Sequence, residues 1–157
     1  MLPSGDQLLA LERQVRSAGS GLQQADLIGC WQLHQVWGKG STAANGLSST
    51  LLRSLGARLE LSALQDSQEL RIGNAVNLGA LQLRFEGEAQ LIGRRPLLQF
   101  SINRIELSLA GRVLLQRTLP PVAPKRLPFF ALIGRGASGW LAARGRGGGL
   151  ALWQLRR

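Results

Sequence analysis

Between residues 57 and 119 apolar and polar side chains alternate in short runs, and this pattern limits the chain to an antiparallel β architecture. Leu81, Leu83 and Phe85 share one parity, against Gln82, Arg84 and Glu86. Leu98, Phe100 and Ile102 share one parity, against Gln99, Ser101 and Asn103. A period of two puts successive side chains on opposite faces of a strand. The runs predicted as strands are 57–64, 69–77, 80–87, 97–103, 104–109 and 112–119. Glycines at 73, 79, 87, 93 and 111 punctuate them. Many short strands joined by glycine-bearing turns indicate a barrel or sandwich, and closing the sheet removes exposed edges. The end of the chain fits this reading. An apolar run at 140–143 meets the turn Arg144-Gly145-Arg146-Gly147-Gly148-Gly149, and a second apolar run at 150–155 follows. Glycine clusters between apolar runs mark a hairpin.

Ahead of the strands, residues 4–17 read as one amphipathic helix that covers an end of the sheet. Ser4 with Gln7 fits a capping box, and Leu8, Leu9, Leu11 and Val15 fall roughly on one face. Residues 27–37 alternate again, with Leu27, Gly29, Trp31, Leu33 and Trp37 on one parity. Residues 38–46 read as a polar loop, and 47–56 are ambiguous between a short helix and a strand. The prolines of 120–128 make a stiff linker, since each removes a backbone donor. No internal repeat and no second domain is seen, so residues 1–157 are read as one domain, helix about 4–17 and barrel about 27–155.

Charge is unevenly placed. Residues 1–88 carry 7 basic and 8 acidic side chains, whereas 89–157 carry 12 basic ones and the single acid Glu106, so +11 stands against −1 and the chain totals +10. Such asymmetry points to an anionic partner, a lipid surface or a nucleic acid. The candidate basic surface is Arg94, Arg95, Arg112, Arg117, Lys125, Arg126 and Arg135. With 45% hydrophobic residues the chain has enough apolar side chains for a core.

Catalytic constellations are not apparent. His34 is the one histidine and Cys30 the one cysteine. Four residues apart on a strand is about 13 Å, beyond hydrogen-bond reach for a dyad. One histidine and one cysteine make a metal site improbable. The glycine-rich stretch 145–149 lacks the lysine and hydroxyl residue of a phosphate loop. The chain is therefore expected to be non-enzymatic, without cofactor or metal.

Three places together resemble the plastid-lipid-associated (fibrillin) family, which is lipocalin-like. Gly29-Cys30-Trp31 within 27–33 resembles its Gly-x-Trp opening strand. Asn74, the strand at 81–85 and Arg95 before Phe100 are similar to its central block. Arg144-Gly145 with Gly148 and the run 150–155 resembles its closing strand pair. The likeness spans about residues 5–155. It departs at 138–143, where no acid or tyrosine stands in place of the family's polar run.

The resemblance implies an antiparallel lipocalin-like β-barrel with an N-terminal helix, binding a lipophilic molecule such as a lipid, quinone or carotenoid, or docking on thylakoid or plastoglobule-type lipid. An eight-strand barrel is just wide enough for side chains or one small ligand. The expected lining is Trp31, Leu33, Trp37, Leu83, Phe85, Leu98, Phe100, Phe129 and Trp153. It further implies that Gly29 permits close approach at the barrel floor and that an arginine, Arg144 ahead of Arg156, lies over Trp31. With no secretory or transit leader visible, the expected setting is the cytoplasm or the thylakoid periphery of a photosynthetic bacterium such as a cyanobacterium. The alternatives are a basic nucleic-acid-binding barrel and a lipocalin-like pigment lyase or isomerase.

Overall fold

Gly29 opens the first strand in a conformation that side chains resist, φ +147°, and a Cβ there would sit 2.6 Å from a Leu155 methyl. It marks where the ring of strands begins and ends. The computed structural model describes residues 1–40, 57–65 and 67–157. The strands are β1 (Gly29–Trp37), β2 (Arg58–Ala63), β3 (Leu70–Leu78), β4 (Leu81–Ile92), β5 (Leu97–Leu109), β6 (Arg112–Thr118), β7 (Phe129–Gly136), β8 (Trp140–Gly145) and β9 (Leu150–Leu155). All pairings are antiparallel. Eight strands close on themselves in the order β1-β2-β3-β4-β5-β7-β8-β9, with β9 returning to β1. The segment 47–56, read as either a short helix or a strand, and the predicted loop beyond Gly40 lie outside the described residues.

β6 stands apart from the ring. β5 pairs with β7 through Leu97–Gln99, then with β6 through Arg104–Leu109. The far halves of β3, β4 and β5 thus combine with β6 into a four-stranded wing, which runs past the last described pairing of β2, Arg58 with Ala75. The two runs predicted at 97–103 and 104–109 are one strand. The pairing steps from Glu86–Arg104 to Gly87–Ile102, leaving Asn103 as a β-bulge where two strands were expected.

The interior is filled by side chains. Leu59, Leu61, Leu70, Ile72, Leu98 and Leu132 pack around Trp31 and Trp153. Phe130 stacks on Phe100 at 5.2 Å and meets Trp153 edge-on at 5.4 Å, separations at which ring quadrupoles attract.

The helix α1 (Gly5–Ala18) carries the predicted capping box. The Ser4 amide donates to Gln7 Oε1 at 2.8 Å, and the Gln7 amide donates to Ser4 Oγ at 3.3 Å. It does not cover an end of the sheet. Leu8 packs with Trp37, Ile133, Ala142, Leu150 and Leu152 in a second core, on the outer face of the ring. A second, single-turn helix, α2 (Gln24–Leu27), leads into β1.

Candidate functional site

Antiparallel partners directly opposite one another share a face of the sheet, so the register sorts the wing into two faces. One face carries Leu78, Leu81 and Leu109 on one rung, Val76, Leu83, Leu107 and Leu115 on the next, and Asn74, Phe85 and Ile105 on the third. Leu59 of the ring's core lies opposite Asn74, so this face continues the ring interior. On this face Leu78 is 68% exposed, Leu115 60% and Leu109 45%; Val113, opposite Ser108, falls on the other face, and Leu114 sits at the irregularity between the two. Every residue of β6 is exposed, and Arg112 and Arg117 flank its apolar middle. Leucines held in this way on rigid strands form an apolar patch of the kind that marks an interaction surface.

The opposite face is ionic. Arg58 Nε donates to Glu60 Oε1 at 2.8 Å, Arg84 donates to Glu60 and to Glu86 at 2.6 Å each, and Arg104 donates to Glu86. Gly73 of β3 lies between β2 and β4. A Cβ there would be 3.3 Å from Arg84 Nη2, so its bare Cα lets Arg84 reach across to Glu60. Burial pushes the Glu60 carboxyl up, but hydrogen bonds from Arg84 and Arg58 outweigh it and hold the group below the usual range. The Glu86 carboxyl is held low by Arg84, against burial, and then by Arg104.

At the end of the ring where β1 begins, Trp31 is wholly buried and its Nε1 donates to the Leu27 carbonyl at 2.7 Å. The arginine over its ring is Arg135, 5.9 Å from the centroid. Arg135 also faces Asp26 at 3.9 Å. Arg144 was expected over Trp31, but it lies on the outer face. Its Nε and Nη2 each donate to Glu12 of α1 at 2.7 Å, and its Nη1 donates to the Gly148 carbonyl at 2.7 Å. The Glu12 carboxyl, nearly buried, is held below the usual range chiefly by Arg144, against the effect of burial. The sequence reading passes over Glu12, and it names Arg135 only as part of a basic surface, whereas the side chain lies over Trp31 and faces Asp26.

Of the expected lining, Trp31, Leu33, Leu98, Phe100 and Trp153 lie in the ring's core. Leu83 and Phe85 are half-buried and lie on the wing's apolar face. Trp37 and Phe129 do not line the interior. The pairing of β1 with β9 skips a residue between Leu33 and Gln35, which turns Trp37 outward beneath α1. Phe129 lies opposite Gln99, while Phe130, opposite core residue Leu98, points inward. Gly145 and Gly148 close the β8–β9 turn, with the Gly148 amide donating to the Gly145 carbonyl at 2.9 Å.

The basic residues do not share one face. Arg94 and Arg95 sit at one end of β5 and Arg112 beyond the other, with 13 strand residues between them, on the order of 40 Å. Lys125 and Arg126 lie on a single 3-10 turn, where Arg146 donates to the Lys125 and Leu127 carbonyls.

None of the eight tryptophan and phenylalanine side chains is largely exposed. Among the described residues no group of three or more His, Cys, Asp or Glu is placed to hold a metal ion, and no helix is long and apolar enough to cross a membrane. No protein-family model, curated protein or solved structure matches the chain.

Proposed function

We propose that this protein is a non-enzymatic, lipocalin-like lipid-handling protein of the plastid-lipid-associated kind, and that it works by docking on an anionic lipid surface through the wing. The observation that carries this reading is the row of exposed leucines on β3, β5 and β6, flanked by Arg112 and Arg117. Charge complementarity favours lipid as the occupant. The chain carries +10, and no acidic residue follows Glu106. Basic residues close to an anionic leaflet contribute about 1 kcal/mol each. The aromatics, four buried and four half-buried, supply no fully exposed platform for base stacking, which weighs against a nucleic-acid partner. The corner built from Gly29, Trp31 and Arg135 supports the lipocalin-like reading. The filled interior favours docking over cargo carriage. On this reading the expected setting is the periphery of a thylakoid-type membrane.

Among the described residues β6 pairs on one side. Its outer backbone groups need water, because unsatisfied amides in hydrocarbon cost several kcal/mol each. Docking is therefore interfacial and shallow. The test is co-sedimentation with phosphatidylcholine vesicles containing phosphatidylglycerol. Leu78, Leu109 and Leu115, each changed to serine, remove roughly 3 kcal/mol of apolar contact, about 100-fold in affinity. Thermal stability should stay close to wild type, since these side chains are already exposed. Wild-type protein that ignores the vesicles, or a triple variant that binds them equally well, overturns the proposal.

A further inference from the structure

A groove between α1 and the β8–β9 turn lies away from the wing. Arg13, Arg16, Lys39 and Arg144 line it, against the single carboxylate of Glu12, so four positive charges face one negative charge. Arg144 commits each of its three nitrogens to Glu12 or the Gly148 carbonyl. Glu12 reaches Arg16 at 3.6 Å, with Arg16 59% exposed. Among the described residues Arg13 and Lys39 form no ion pair.

The groove is built on the same turn glycine that the sequence singles out. Gly148 has φ +90°, and a Cβ there would lie 2.9 Å from Lys39 Cγ and 3.0 Å from its Cδ. The bare turn receives the lysine stem, which brings the ammonium to the groove wall. Two guanidiniums of α1 stand across from it, one helical turn apart. Glu12, locked to Arg144, fixes α1 against the turn and so sets the spacing of the two walls.

From this geometry we infer a binding site for a phosphate group, carried on a lipid headgroup or free in solution. Guanidiniums suit the planar spread of phosphate oxygens, and a lysine adds a compact point charge. The site is separate from the wing and stands or falls without it.

The test titrates inorganic phosphate into the whole protein and follows the Gly148 amide resonance, with chloride matched for ionic strength. Saturable movement with phosphate and none with chloride is expected. Arg13→Gln with Lys39→Gln should weaken it at least tenfold while the melting temperature holds, because neither residue belongs to the Glu12–Arg144 pair. Equal response to chloride, or an unchanged response in the double variant, overturns the site. A vesicle arm then separates the sources. If the double variant loses tenfold on phosphatidic acid vesicles relative to phosphatidylglycerol vesicles, the phosphate is a headgroup. If vesicle binding is unmoved while phosphate binding is lost, the ligand is free phosphate. The leucine-to-serine wing variant should keep the wild-type phosphate response in either case, so a failure of lipid docking is distinguishable from a failure of this groove.

Discussion

Glu12 and Arg144 lie 132 residues apart in sequence, yet their two 2.7 Å bonds fasten the first helix to the last hairpin. Glu12→Gln removes the charge but keeps the shape, leaving a part-buried guanidinium without its counter-ion. Breaking a buried pair costs about 3–5 kcal/mol, and the solvent access of Arg144 places this one near the lower end. Urea unfolding should show that loss, and a loss below about 1 kcal/mol would mean the pair is screened like a surface one. The same carboxylates set the acid limb of stability. Glu12, Glu60 and Glu86 are all held below their ordinary value of 4.5 in the fold. A depressed carboxyl stabilises the native state fully above its unfolded pKa and loses that contribution as pH falls through the folded one. Stability should therefore be flat above pH 5 and decline as pH drops below about 4.5. Urea midpoints measured at stepped pH check this, and Glu12→Gln should shallow the decline.

Elements were legible where alternation ran unbroken, and misread where a bulge interrupted it. The capping box at Ser4 and Gln7, the closing hairpin and the central strands follow from local pattern. Trp37 does not, because the irregularity after Leu33 shifts every later residue of β1 to the other face. Asn103 split one strand into two for the same reason. Adjacent aromatics at 129 and 130 leave the parity of β7 open, and the register with Leu98 settles it. Arg135 over Trp31 depends on ring closure, which no local signal carries. The two kinds of apolar residue now separate by element. Leu8 of α1 is fully buried over β7–β9, so Leu8→Ala should cost about 3 kcal/mol through transfer and cavity terms. Leu115→Ala on β6, 60% exposed, should cost within about 0.5 kcal/mol. Chemical denaturation of the two variants measures the contrast. A large loss at Leu115 would mean the wing face is already covered.

At the scale of the molecule, the ring and the wing divide stability from contact. The ring strands hold all four tryptophans, and Trp31, Trp37 and Trp153 are buried. The fourth, Trp140, leans over Gly136, where a Cβ would come within 1.9 Å of its Nε1. All four lie outside the strands that form the wing. Docking through the wing should therefore leave native tryptophan emission unchanged when anionic vesicles are added. A tryptophan at the apolar face, Leu115→Trp, should shift to the blue on the same vesicles. The shift should shrink as salt rises, since screening shortens to about 8 Å near 0.15 M and weakens the pull on Arg112 and Arg117. Quenching by lipids brominated near the headgroup should exceed quenching by lipids brominated deep in the chain, because the edge of β6 that no described strand pairs must stay hydrated. The opposite depth order would place an open strand edge in hydrocarbon, which requires a partner strand on β6. A blue shift from the native tryptophans would mean that the ring itself opens on lipid, and the division between a stable ring and a docking wing would fail.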